Sequence, residues 1–124
     1  MTDLHHYCIL RKDLDIGALA AQLLHAAGES NPGGLHSFAV ALWSNDLEVI
    51  EAKLIEAEIP HASIRESDPP FYGELVAIGI HPCIRKENKK LRQIVAGLSL
   101  IKEDGTMKDE VYSKRTFKTF SINF

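Results

Sequence analysis

Two polar side chains interrupt an otherwise apolar helix. The stretch 13–28 reads Asp-Leu-Asp-Ile-Gly-Ala-Leu-Ala-Ala-Gln-Leu-Leu-His-Ala-Ala-Gly. Beyond Asp15, only Gln22 and His25 in it are polar, and a spacing of three puts them on one helical face, with Ala18 a turn earlier on the same line. A helix this apolar is mostly buried, so a carboxamide and an imidazole on one stripe need hydrogen-bond partners or a cleft. Such a pair offers hydrogen bonding and, through the imidazole, proton transfer near neutral pH. The stripe is the first candidate site; local main-chain bonding of both groups is the alternative.

A second concentration of chemistry is Arg85-Lys86-Glu87-Asn88-Lys89-Lys90-Leu91-Arg92, five cations to one anion. It reads as a surface for phosphates or as a solvated helix face. No aromatic residues are interleaved, so base-specific recognition is not indicated. The six histidines show no i, i+4 pair and no cysteine at ligand spacing, so no metal site is expected. Gly33-Gly34 precedes an apolar run instead of following one, which argues against a nucleotide loop, and no cofactor is expected. Cys8 and Cys83 sit in or beside apolar runs and read as two reduced, buried thiols of a cytoplasmic protein.

The elements that would position these groups follow from patterning. Tyr7 to Leu10 is a short apolar run bounded by Arg11-Lys12, a buried strand. Asp15 can cap the following helix, and Gly28 stands where a left-handed C-terminal cap belongs. Glu29 to Gly34 is turn chemistry. Phe38 to Trp43 is a second strand. Asp46 to Glu58 is amphipathic, with Leu47, Val49, Ile50, Leu54, Ile55 and Ala57 inward. His61 to Arg65 is a third strand, and the adjacent Pro69 and Pro70 end regular structure after it. Gly73 to Ile80 is a fourth strand, Arg85 to Gly97 a third helix, and Leu98 to Ile101 is apolar again. The segment 103–106 is a plausible hairpin turn, and alternating Phe120, Ile122 and Phe124 suggest a terminal strand. The order implies an α/β sheet flanked by helices.

The chain has 124 residues, is 45% hydrophobic and 25% charged, and carries a formal net charge of −3. That suits one globular domain. No apolar stretch approaches the ~18 residues a membrane helix needs, and the first residues lack the basic and apolar regions of a secretion signal. Charge is uneven: 3 basic and 9 acidic side chains lie in residues 1–62, against 11 and 8 in 63–124. The second half thus permits a nucleic-acid face without demanding one.

Arg11-Lys12-Asp13-Leu14, Gly17, Ala20-Ala21-Gln22 and His25-Ala26-Ala27 resemble the type-2 peptidyl-tRNA hydrolases. The likeness continues through 46–58, Ile64-Arg65-Glu66, Val76-Ala77-Ile78-Gly79, and Val95-Ala96-Gly97 before Leu98-Ser99-Leu100. It covers about residues 7–102; the family has a lysine where this chain has Ala18, and an aspartate where it has Glu66. The pattern is closest to the divergent, peptidyl-tRNA hydrolase domain-containing branch. The resemblance implies a four-stranded mixed sheet flanked by helices over residues 1–102; residues 103–124, which have no counterpart in the family, read as an extension carrying an extra strand or hairpin, packed on the same domain or a partner. The resemblance also implies a homodimer in the cytoplasm and hydrolysis of the ester joining peptide to tRNA. That reaction needs a water-activating group, oxyanion donors and cations for phosphates. His25 or Glu66 would be the base and Gln22 the carbonyl donor or water holder, with Asp13 beside them. Lys12, Arg65, Lys86, Lys89 and Lys90 would face the tRNA. The alternative is a non-catalytic tRNA- or ligand-binding module that kept the cleft without the lysine.

Overall fold

The computed structural model describes residues 3–69 and 72–101, together with the backbone of 121–123. One mixed sheet carries the chain, flanked by helices on both faces. Its long strands are β1 (Leu4–Arg11), β2 (Phe38–Ser44), β3 (His61–Arg65) and β4 (Leu75–Ile80). Three short strands complete it: β5 (Cys83–Ile84), β6 (Ser99–Leu100) and β7 (Ser121–Asn123). The order is β3-β4-β1-β2-β6. β1 and β2 are parallel, and β4 runs antiparallel to both β1 and β3, so β3 points the same way as β1. β5 continues the β4 lane against Leu4 and His5, and β7 lies along Phe38 to Val40 of β2. The architecture is a single-domain mixed α/β sheet with an added C-terminal strand. The expected turn at 103–106 and the side chains of Phe120, Ile122 and Phe124 lie outside the described residues.

Strand alternation sorts the core into two layers. Tyr7, Ile9, Leu42, Ile78 and Ile80 meet Leu47, Ile50 and Leu54 of α2 (Leu47–Glu56) and Leu91 and Val95 of α3 (Lys89–Val95). On the opposite face Cys8, Leu10, Ile64, Val76 and Ala77 meet Leu19 and Ala26 of α1 (Ile16–Ser30). Val76 and Ala77 share a face because β4 carries an extra residue there: Ile64 pairs with Ala77 but Arg65 pairs with Leu75. Such a bulge re-aims the strand end.

Asp15 caps α1 as its sequence promises, its carboxylate accepting from the Ala18 N–H at 2.9 Å. Gly28 does not end the helix. α1 continues to Ser30, whose hydroxyl donates to the Ala26 carbonyl, and stops at Asn31 before Pro32. A glycine is indispensable instead at position 79. A Cβ there would sit on the Ala26 carbonyl oxygen and Ser30 Oγ, so β4 and α1 approach this closely only because Gly79 has no side chain. In α2 the inward set is Leu47, Ile50 and Leu54, while Val49 and Ile55 face outward. The expected helix 85–97 is broken. Arg85–Glu87 is a single 3₁₀ turn, and Asn88 caps a separate α3, accepting from the Leu91 N–H at 3.1 Å.

Candidate functional site

The parallel strands β1, β2 and β3 end on one edge of the sheet, where ligands of open α/β folds commonly sit. The residues leaving those ends are Arg11-Lys12-Asp13, Asn45-Asp46 and Glu66-Ser67-Asp68. Glu66 is held from several sides. Its N–H donates to the Glu74 carbonyl at 2.9 Å, and its carbonyl accepts from Gly73 at 2.8 Å, a return turn that uses the positive φ of Gly73. Its carboxylate Oε1 accepts from the main-chain N–H groups of Ser67 and Asp68 at 2.8 and 3.3 Å.

The other oxygen of Glu66 accepts from Gln22 Nε2 at 3.2 Å, across the 44 residues that separate them in sequence. Gln22 is buried, 8% exposed, and its Oε1 has no hydrogen-bond partner among the described residues. Turning the amide over would set Oε1 against the Glu66 carboxylate, so the orientation follows from the pair. A buried acceptor left unanswered costs about 1–3 kcal/mol. The Gln22–Glu66 pair is therefore both joined and incomplete.

The other expected site residues fall elsewhere. His25 is exposed and makes no hydrogen bond among the described residues, so the stripe is split between interior and solvent. Arg65 follows Ile64 by one residue and so points to the other face of the sheet. There Nη2 meets both carboxylate oxygens of Glu51 at 3.0 and 3.1 Å, beside the Ser63 hydroxyl, which donates to the same carboxylate at 2.6 Å. Asp13 takes a two-pronged bond from Arg11, Nε at 2.7 Å and Nη2 at 3.0 Å. The third prong of Arg11 reaches Glu74 at 2.6 Å, and these two carboxylates hold the guanidinium charged by raising its already high pKa. Lys12 is exposed, its ammonium 6.0 Å from the Trp43 ring centroid.

The basic run is remote from this edge. Lys86 pairs with Asp3 at 3.6 Å, at the start of β1. Arg11 ends the same strand, eight residues on, a rise of about 26 Å. Lys89 and Lys90 open α3, both exposed; Lys90 and Lys53 line a groove of about 340 Å³ between α3 and α2.

Sequence reasoning missed Glu74 and Glu48. With Arg11, Asp13 and Asn45 they line a cavity of about 270 Å³ at the strand-end edge, on the α2 face. Arg11-Lys12-Asp13 was a visible signal for half of it. Glu74 had none, because its position depends on the turn that returns the chain from Glu66. Three carboxylates to one guanidinium make this cavity unsuited to phosphate. No group of three or more His, Cys, Asp or Glu side chains placed to hold a metal ion occurs among the described residues. Nor is any described helix long and apolar enough to cross a membrane.

A separate polar cluster locks the end of α1. His6 Nε2 lies 2.7 Å from Ser30 Oγ, which itself donates to the Ala26 carbonyl, so the imidazole must be the donor in the first bond. His81 Nδ1 reaches the Ser30 carbonyl at 3.1 Å. Burial lowers the His6 pKa, and His81 adds to the shift. Burial pushes the neighbouring Cys8 thiol up to about 12, so it is an inert core group.

The fold defines a class of small mixed α/β proteins with one helix on one sheet face and two on the other. Among solved structures, a protein of unknown function from Agrobacterium tumefaciens is similar over 82% of this chain and 100% of its own, with a TM-score of 0.53 and 16% sequence identity. At that identity the likeness concerns architecture alone. No protein-family model matches the chain, and no curated protein does.

Proposed function

We propose that this is a peptidyl-tRNA hydrolase-like protein of the type-2 kind, acting on the ester that joins a peptide to tRNA. The carrying observation is the Gln22–Glu66 contact. The helix glutamine and the acid after β3, singled out by the sequence resemblance, meet at 3.2 Å on the edge where the parallel strands end. Glu66 would take the proton of the attacking water, and Gln22 would hold the carbonyl or the water. The acidic cavity beside Arg11 suits the aminoacyl end better than the phosphates. On this reading the protein is a cytoplasmic homodimer. The outward side of α1 supports the dimer: Ile16 and Leu24 are 79% and 74% exposed, and no charged residue lies from Ile16 to Gly28.

A specific observation favours a second reading, binding without turnover. Ala18 brings no donor to the pair, Arg65 is bound to Glu51 across the sheet, and Arg11 is engaged by two carboxylates. Loss of one oxyanion donor costs about 10²–10³ in rate. A single-turnover assay with protein in excess over peptidyl-tRNA, run beside a tRNA-binding titration at low salt, separates the two. Peptide release abolished by Glu66→Gln and Gln22→Ala supports the hydrolase. Binding without release supports the second reading, and neither release nor binding refutes both.

A further inference from the structure

At the opposite end of β1 lies a cavity of about 350 Å³, on the sheet face that carries α2 and α3. It shares no residue with the Gln22–Glu66 pair or with the acidic cavity. Val40 and Leu42 of β2 and Val95 and Leu100 form apolar walls. His5, Tyr7 and Arg85 form the polar part. The His5 ring stacks on Tyr7, centroids 6.1 Å apart at 19°, and tilts against Phe38 at 5.4 Å.

The hydrogen-bonding roles follow from the partners. His5 Nδ1 lies 3.0 Å from the Asp3 carbonyl, which can only accept, so Nδ1 carries the hydrogen. The Arg85 side chain lines the cavity beside the Tyr7 phenol, close enough to act on its ionisation. Burial raises the phenol pKa against the opposing pull of Arg85, so the hydroxyl stays protonated. No acidic side chain lines the cavity among the described residues. Asp3, two residues before His5, is turned to Lys86, and no carboxylate pairs with Arg85 among the described residues. A cation thus stands beside an apolar hollow with no counter-charge among the described residues.

We propose that this cavity binds a small aromatic carboxylate, its ring against Val40, Leu42, Val95 and Leu100 and its acid group on Arg85 and the Tyr7 hydroxyl. The guanidinium fork matches a carboxylate in two prongs. The apolar walls and the His5–Tyr7 stack select a flat body. The volume lies at the small end of the range for ligand sites, about 300–1,000 Å³. Recognition here is independent of any chemistry at Glu66.

The test is calorimetric titration of the full chain with 2-naphthoate and with the neutral 2-naphthamide. Two variants accompany it. Arg85→Met removes the cation at an exposed position. Ala96→Phe, at an exposed position on the cavity rim, fills the hollow. Circular dichroism checks that both are folded. The expected result is saturable one-to-one binding of naphthoate, at least about 10-fold weaker for the amide and in Arg85→Met, and lost in Ala96→Phe. Absence of saturable naphthoate binding to the wild type overturns the proposal. So does binding that both variants leave unchanged, or binding that the amide matches.

Discussion

Replacing Gly79 by alanine adds one methyl group at the closest approach of α1 to the sheet. Of the three atoms it meets, Ser30 Oγ can swing away, at the cost of its bonds to the Ala26 carbonyl and His6, whereas Ser30 Cβ is fixed to the helix. The Ala26 carbonyl is main chain and moves only if the helix moves. Inserting a methylene into a packed core costs about 1–3 kcal/mol, and a lost internal hydrogen bond adds about 1 kcal/mol. Gly79→Ala should therefore cost about 2–4 kcal/mol, a large part of the roughly 5–15 kcal/mol that holds a domain together. The control is Gly28→Ala, inside α1 with nothing within 4 Å of the added carbon. It should stabilise by about 0.5–1 kcal/mol, because alanine loses less backbone freedom in a helix. Urea unfolding followed by circular dichroism reads both as shifts in midpoint at constant slope. A Gly79→Ala protein within about 0.5 kcal/mol of wild type, a margin typical of surface changes, would refute the claim that α1 is seated against the bare backbone of β4. Ser30→Ala in the Gly79→Ala background should recover little, since the carbonyl obstruction remains.

Gln22→Leu should leave stability within about 1 kcal/mol or raise it, because it removes a buried acceptor with no partner, while weakening any ligand bound at Glu66; strong destabilisation in a denaturant titration would mark Gln22 as structural. Stability should fall with pH through His6. Its folded pKa lies below the ordinary 6.5, so the unfolded chain takes up the proton first, and the contribution, fully present above about 6.5, is lost as pH drops below it. His6→Gln should flatten the pH dependence of the melting temperature between pH 7 and 5, and an unchanged slope would exclude His6 as its source. Asn88→Ala, which deletes the α3 cap, should cost about 1 kcal/mol in the same unfolding experiment.

The four long strands and the first two helices were legible in outline from the patterning of their residues. Where expectation and structure part, a tertiary contact decides. Gly28 carries the mark of a helix end, yet Ser30 finds the Ala26 carbonyl and His6, and two further residues join the helix. The run 85–92 has helical composition throughout, but the Asn88 side chain offers a better start than its backbone offers a continuation. Arg65 was grouped with Glu66 by adjacency, whereas strand alternation sends neighbours to opposite faces. Gln22 and His25 share a stripe, but a stripe has width, and the sheet covers only one side of it. Gln22 and Glu66 were each singled out by residue type and resemblance, but their direct contact was not. Nor was the acidic cavity, because Glu74 reaches it through a turn with no periodic signal.

Two three-residue or shorter segments, β6 and β7, lie end to end along the outer flank of β2. Together they occupy the main-chain groups that a neighbouring polypeptide would otherwise find free for strand addition. A chain cut after residue 102 would keep every described helix and both core layers yet bare the amides and carbonyls from Phe38 to Val40. Such a fragment should self-associate through that seam, so the terminal strand serves as a safeguard against fibril-like growth.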